Sequence, residues 1–247
     1  MNYMGGKMRQ GKKIAEFVAR LSRIDITYYE PFCGAMGSAH QVLAHRDFKA
    51  KGSVLSDASE PVVNMWKLLV DGWEPPDVVS EELYQAVRQR NDYSDPMTAY
   101  CGFGMSFGGK WWGGYARNGI GTDYALNLQR SALLKASVLL KASALLKACD
   151  YLEVIDQGQL FYLDPPYANR TKPHNYAGKF DHETFWNHCR RLVHNDNVVL
   201  ATEFVAPDDF VPVHNWGDTV VRHHASKGGD GTKECIFMHE SQAGLLR

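Results

Sequence analysis

The order of apolar and turn-forming segments predicts an α/β protein, a doubly wound sheet with a smaller inserted domain. Three observations carry this. A strand, a glycine turn, a helix and a second strand follow one another within the first 57 residues. The same alternation resumes after residue 150. Between the two runs, residues 72–149 differ in composition, so the larger domain reads as discontinuous, 1–71 plus 150–247, with 72–149 inserted.

Each element has a local reason. Gly11-Lys12 leads into IAEFVARL, where Ile14, Phe17, Val18 and Leu21 recur at helical spacing. ITYYEPFC reads as a strand, GAMGS as a glycine turn, and Ser38 to Ala44 as a short helix. SVLSDA is a strand ending in Asp57, followed by a helix through Val62–Leu69. Later, QLFYLDPPY is a strand with its loop, and FDHETFWNHCRRLV is a helix. NVVLATEF and ECIFMHE are further strands. Core strands therefore flank the middle of the chain.

That middle holds CGFGMSFGGKWWGGYARNGIG, with eight glycines among aromatics. Glycine-rich backbone with projecting aromatics suits a loop or hairpin that fits an irregular partner; a set of hairpins around a small local core competes with it. A repeat follows at 131–148, SALLKA-SVLLKA-SALLKA. Ala, Leu and Lys are strong helix formers, so the whole repeat is expected to be helical. Six residues advance a helix by about 600°, which turns each copy by roughly 120° and points the lysines to three sides. The repeat is no heptad, and its period is too short for a solenoid.

Composition bounds the function. Hydrophobic content of 45% and charged content of 22% are those of a soluble globular protein. No apolar run approaches the ~20 residues that span a bilayer. The first residues, MNYMGGKMRQGKK, lack the apolar stretch of a secretory signal. Five scattered cysteines, without CxxC spacing, argue against a disulfide framework or zinc site and fit a reducing cytoplasm. The net charge of −1 conceals blocks: 1–23 and 98–149 are basic, and 57–96 is acidic. Such blocks can place phosphate-binding patches on a neutral molecule, and equally can be solvated faces of mixed sign.

Two stretches carry chemistry. Gly34 and Gly37 lie between a strand and a helix, where backbone N–H groups and a tight turn let a ligand approach. Asp57 ends the next strand, at the distance where nucleoside-binding sheets place an acid on ribose hydroxyls. The spacing is not the GxGxxG of dinucleotide enzymes. The second stretch is Asp164-Pro165-Pro166-Tyr167. Two prolines fix φ near −65° and remove two N–H donors, so a rigid loop offers a carboxylate, an outward carbonyl and an aromatic face. A planar amine suits that set: its N–H groups donate to both oxygens while its ring stacks on Tyr167.

With these residues in view, the chain resembles the Dam-like DNA adenine methyltransferases of bacteria and their phages. The matches run in order through most of the chain: YMGGK at 3–7, EPFCG at 30–34, LSD at 55–57, DPPY at 164–167 and GGDGTKECIF at 228–237. One departure is Met36, where the family's second glycine belongs, with Gly37 one place later, so a turn one residue wider is expected. The resemblance implies a Rossmann-like methyltransferase sheet with an inserted DNA-recognition domain. It implies S-adenosylmethionine as donor, S-adenosylhomocysteine as product, and an adenine flipped from double-stranded DNA as acceptor. Asp164, Pro165, Pro166 and Tyr167 would be catalytic; Tyr3, Gly6, Lys7, Glu30, Phe32, Gly34, Asp57 and Asp164 would contact the cofactor.

Recognition is expected from the insertion, at Lys110, Trp111, Trp112, Arg117 and Asn118, because Arg and Asn read purine edges bidentately. Arg222, Lys227 and Lys233 suit phosphates. No metal is expected: methyl transfer needs none, and His223 and His224, adjacent on a strand, point to opposite faces. Two alternatives stay open. A relative of the same fold could act on a cytosine amine or a protein amide, and a non-catalytic relative could bind DNA without transfer.

Overall fold

The computed structural model describes residues 6–117, 124–167, 180–216 and 234–246. Tyr3, Asn118, Arg222, Lys227 and Lys233, with His223 and His224, lie outside them. The chain divides into two compact units, Met1–Val154 and Ile155–Arg247.

The first unit begins with helix α1 (Gly11–Leu21), whose stripe of Ile14, Phe17, Val18 and Leu21 is buried as its spacing predicts. Strand β1 (Thr27–Glu30) follows, then the short helix α2 (Ala39–Leu43) and strand β2 (Gly52–Asp57). β1 and β2 are parallel, in the register Thr27↔Gly52 to Glu30↔Leu55. Helix α3 (Glu60–Val70) is next, with Pro61 in its first turn, where a missing N–H costs nothing. Helix α4 (Glu81–Arg90) is capped by the Ser80 hydroxyl and ends at Asn91 in the left-handed conformation. The short helix α5 (Pro96–Ala99) runs into a π-turn at Tyr100–Gly104.

Helix α6 (Tyr124–Lys141) and strand β3 (Leu145–Ala148) correct one expectation. The repeat is not helical throughout, because its third copy is a strand. The helix stops at a left-handed Ser143 (φ 48°), with the Ala144 N–H on the Leu139 carbonyl (3.1 Å) and the Ser143 N–H on Leu140 (3.0 Å). β3 then pairs in parallel with β2, Val54↔Leu145 to Asp57↔Ala148. The ladder that β2 offers outweighs the small helix preference of Ala, Leu and Lys. α6 itself packs on α2 and α3.

The second unit opens with strand β4 (Leu160–Leu163), buried along its whole length, as a parallel strand covered on both faces should be. Helix α7 (His182–His194) is capped by Asp181, whose carboxylate accepts the N–H groups of Glu183 and Thr184. Strand β5 (Val198–Glu203) is parallel to β4, while β6 (Phe210–Asn215) and β7 (Cys235–His239) form antiparallel pairs. The strand order is β3-β2-β1 within the first unit and β4-β5-β7-β6 within the second. This is the doubly wound, Rossmann-like α/β class expected. Among the described residues, no helix is long and apolar enough to cross a membrane, and no cluster of three or more His, Cys, Asp or Glu is placed to hold a metal ion.

Candidate active site

In the first unit the chemistry lies at the carboxyl ends of β1 and β2. Glu30 closes β1 with a fully buried side chain that accepts hydrogen bonds from the Tyr28 hydroxyl (2.6 Å) and the Ser38 hydroxyl (2.5 Å). It thereby ties the strand to the start of α2. The turn between them is held from every side. Its Gly34 carbonyl accepts the Trp66 indole N–H (3.0 Å), and its Ala35 carbonyl accepts the Lys135 ammonium (2.6 Å). The Met36 carbonyl meets His40 Nδ1 (2.6 Å), and the Gly37 carbonyl takes the Gln41 amide (3.1 Å). Four consecutive carbonyls are thus clamped by side chains of α2, α3 and α6.

Met36 takes the left-handed conformation itself (φ 56°), as Gly34 does (φ 43°), so the chain keeps a glycine-like bend with a fully buried methionine. Gly37 serves a different purpose: a Cβ there would stand 2.7 Å from the backbone nitrogen of Lys7. The amino-terminal segment lies against the turn through this gap. Lys7 is buried, Gly6 is exposed, and Gln41 also reaches the Met8 carbonyl (3.1 Å).

Asp57 is only partly covered by residue exposure, and its two oxygens are used evenly. One accepts the Gly34 N–H and the other the Ser59 N–H, both at 2.9 Å. Burial raises its carboxyl to about 6, and the two hydrogen bonds offset part of that rise. Burial also holds the Cys33 thiol well above its usual range, with the charges of Asp57 and Glu30 adding to the effect. Phe32 is half-buried, tilted 32° against Tyr151 with centroids 5.0 Å apart. Beyond Asp57 lies an open hollow of about 530 Å³, lined by Glu60, Asn64, Lys67 and Asp150 among others.

In the second unit the acid–proline loop leaves the end of β4. Pro165 and Tyr167 are buried, while Asp164 and Pro166 are partly open. The Tyr167 ring stands edge-on to Phe204 (5.0 Å, 88°), and its hydroxyl reaches Asp164 Oδ1 (2.9 Å) and Glu234 Oε1 (2.7 Å). Glu203 is fully buried at the end of β5, with His182 Nδ1 3.5 Å away. Burial holds that imidazole below its usual range.

The insertion residues are built as a small aromatic cluster. Trp111 fills the space over Gly102, where a Cβ would stand 2.3 Å from the indole, and it packs on Phe103 (4.7 Å). Trp112 sits edge-on to Tyr84 (5.3 Å). Both tryptophans are half-buried, so the aromatic that stands out is Phe107, 69% exposed and followed by Gly108 and Gly109 in the left-handed region. Lys110 and Arg117 are exposed; Arg117 makes a bidentate pair with Glu81 (2.5 and 3.1 Å). Sequence reasoning missed Trp66, Lys135, Glu234 and Phe107. For Phe107 alone there was a local signal, an aromatic directly before a Gly-Gly pair.

Neither a family model nor a curated protein matches the chain. Among solved structures it is similar to two of the rRNA methyltransferase aviRa from Streptomyces viridochromogenes. The TM-scores are 0.44 and 0.42 at 13% and 14% identity, and each alignment covers 97% of this chain and 86% of that one.

Proposed function

We propose that the chain is a site-specific DNA adenine-N6 methyltransferase that takes its methyl group from S-adenosylmethionine. The observation that carries the reading is Asp164. It is a partly open carboxylate on a loop stiffened by two prolines, with one oxygen already bonded to the buried Tyr167 hydroxyl. A group so fixed is organised to accept from an amine without reorganising during reaction. The donor's residues also fit. Asp57 ends its strand partly open and spends one N–H on each oxygen, which leaves acceptor capacity for ribose hydroxyls. The clamped turn at 34–37 would present its backbone to the same molecule, with Lys7, Glu30 and Phe32 around it. Exposed Gly6 belongs to the same proposal, as does Tyr3, which lies outside the described residues.

S-adenosylmethionine supplies, when bound, a methyl carbon made electrophilic by its sulfonium. The protein does the rest by placement. Asp164 and the Pro165 carbonyl accept the two hydrogens of the adenine amine. This favours a tetrahedral nitrogen and stabilises the positive charge that develops on it. Holding amine and carbon in line can account for roughly 7–11 kcal/mol of the barrier. Flipping the base from the duplex costs a few kcal/mol. A ring such as Phe107, exposed beside Lys110, would fill the stack it leaves. In this reading residues 72–149 contain the target-recognition segment. Arg117 would exchange Glu81 for a base edge or phosphate, and Trp111 and Trp112 would shape the hairpin behind Phe107.

The test is to incubate the protein with labelled donor and mixed-sequence duplex DNA and to map the labelled base and its context. Label on adenine N6 in one context, lost in Asp164→Ala while donor binding persists, is the expected result. Label on cytosine, on a protein amide or on nothing would replace the reading with one of its competitors, as would full turnover in Asp164→Ala.

A further inference from the structure

A hollow of about 540 Å³ lies between α4 and the glycine-rich stretch of the insertion. Glu81 and Gln85 line one side of it, and Phe107, Gly113 and Gly114 the other. The two walls are tied together within the first unit. The Tyr84 and Ser106 hydroxyls meet at 2.8 Å, the Tyr115 hydroxyl donates to the Val79 carbonyl (2.6 Å), and Arg117 forks onto Glu81. The glycine-rich wall also closes on itself, the Phe107 N–H donating to the Gly114 carbonyl (2.8 Å). What the hollow can take follows from its lining. Phe107 offers a ring that is 69% exposed, and a Cβ on Gly114 would meet no atom within 4 Å, so the backbone there is bare. The charged lining residues, Glu81 and Arg117, are of opposite sign, so the hollow holds no excess charge for an anion. Gln85, one turn along α4 from Glu81, is exposed and has no hydrogen-bond partner among the described residues. A neutral, planar group with a donor and an acceptor on one edge fits this lining, and a nucleobase is such a group.

We propose that this hollow receives the edge of a further adenine of the recognition site, read by Gln85 as a specificity-determining residue. This rests on the DNA methyltransferase reading and deepens it, by adding α4 to the glycine-rich stretch as a second reading element. A glutamine amide carries N–H donors and a carbonyl acceptor side by side. Adenine presents their complement in the major groove, N7 as acceptor and the N6 amine as donor, so the pair is bidentate. Guanine offers acceptors there and cytosine a donor, so neither satisfies both ends of the amide. Phe107 borders the hollow and is also the ring proposed to fill the gap left by the flipped base. The adenine read by Gln85 therefore belongs to a base pair beside the target. The duplex's charge is met outside the hollow. Arg88, nearly one turn beyond Gln85, and Lys110, beside Gly113, are exposed and have no ion-pair partner among the described residues. They suit the phosphates that flank that base pair.

Binding tests this without turnover. Wild type and Gln85→Ala, each as the full chain, select duplexes from a pool of random sequence, and the enriched sites are compared. Gln85 is exposed and alanine is a good helix former, so the variant folds. The wild type should enrich a fixed adenine that Gln85→Ala no longer demands, with discrimination at that position alone falling about tenfold or more. An unchanged profile, or one relaxed equally at every position, overturns the proposal. The second measurement replaces that adenine by 7-deazaadenine, which lacks the N7 acceptor. It should weaken wild-type binding about fivefold and leave Gln85→Ala unmoved; equal weakening of both overturns the proposal. Arg88→Ala and Lys110→Ala supply the contrast, a loss uniform across sequences with a salt slope smaller by about one. The same behaviour in Gln85→Ala would make it a phosphate contact and overturn its reading role. A wild type that enriches the site and passes both tests but methylates no base would retire the functional reading and leave the role of Gln85 standing. A wild type that enriches no sequence overturns both.

Discussion

The hexapeptide SALLKA occurs twice in this chain, at 131–136 inside α6 and at 143–148, where its last four residues are β3. The two copies invert each other. The lysine of the first, Lys135, is 2% exposed and clamps the Ala35 carbonyl; that of the second, Lys147, is exposed. The leucine before it is 64% exposed in the first copy, Leu134, and 7% exposed in the second, Leu146. Since the residues are identical, no local propensity can explain the difference. Helix preference differs among ordinary residues by at most about 0.7 kcal/mol each. Burying one leucine is worth roughly 1.5–3 kcal/mol. β2 offers the second copy a ladder and a buried slot for Leu146, and α2 and α3 offer the first a groove that takes Lys135. Context decides both the element and the face.

The largest expected effect comes from truncating the leucine. Leu146→Ala should destabilise the protein by about 2–4 kcal/mol, through lost transfer energy and the cavity left behind. Leu134→Ala should stay within about 0.5 kcal/mol, as exposed substitutions do. Denaturant midpoints of the two variants measure it directly. Equal shifts would mean that the repeat is not divided between helix and strand as described.

The lysines come next. Lys135→Ala should cost about 1–3 kcal/mol, the penalty of leaving the buried Ala35 carbonyl without its donor, while Lys147→Ala should be near neutral. The comparison sharpens with pH. Burial lowers Lys135 from a lysine's ordinary 10.5 to about 8. Between those values the unfolded chain holds the proton and the folded one has shed it. Stability contributed at this site therefore rises as pH climbs from about 8 to 10.5. Wild type measured against Lys135→Met should show that slope in the difference, and Lys147→Met should show none. The same lysine touches the turn that the donor is proposed to occupy, so Lys135→Met should also weaken donor binding more than Lys147→Met does.

What could be read from sequence follows from the same contrast. α1 and β4 were legible because their patterns are complete within themselves: a stripe at helical spacing, and an unbroken apolar run leading into Asp164. Gly34 and Asp57 were legible as members of short stretches at strand ends. The clamps were not, because Trp66, Lys135, His40 and Gln41 reach the turn from three different helices. Glu234 lies 67 positions from Tyr167, with no spacing rule to connect them. Met36 was readable only as an irregularity; its positive φ depends on the clamped carbonyls around it. The third copy of the repeat was misread as helix because residue preferences say nothing about an open sheet edge.

The smallest effect isolates the boundary itself. Ser143, Ser137 and Ser131 occupy the same place in the three copies, yet only Ser143 has a positive φ, at 48°. There it ends α6, and a side chain in that conformation strains the backbone. Ser143→Gly removes the strain, at the cost of a more flexible unfolded chain, and should stabilise by about 0.5 kcal/mol. Ser137→Gly, inside the helix, should instead destabilise by roughly 0.5 kcal/mol, the difference in helix propensity between the two residues. The opposite signs are the informative part, because the exchange of residues is the same at both sites. Thermal midpoints moving in one direction for both variants would show that the helix does not stop at Ser143, and that the third copy lacks the turn that frees it to join β2.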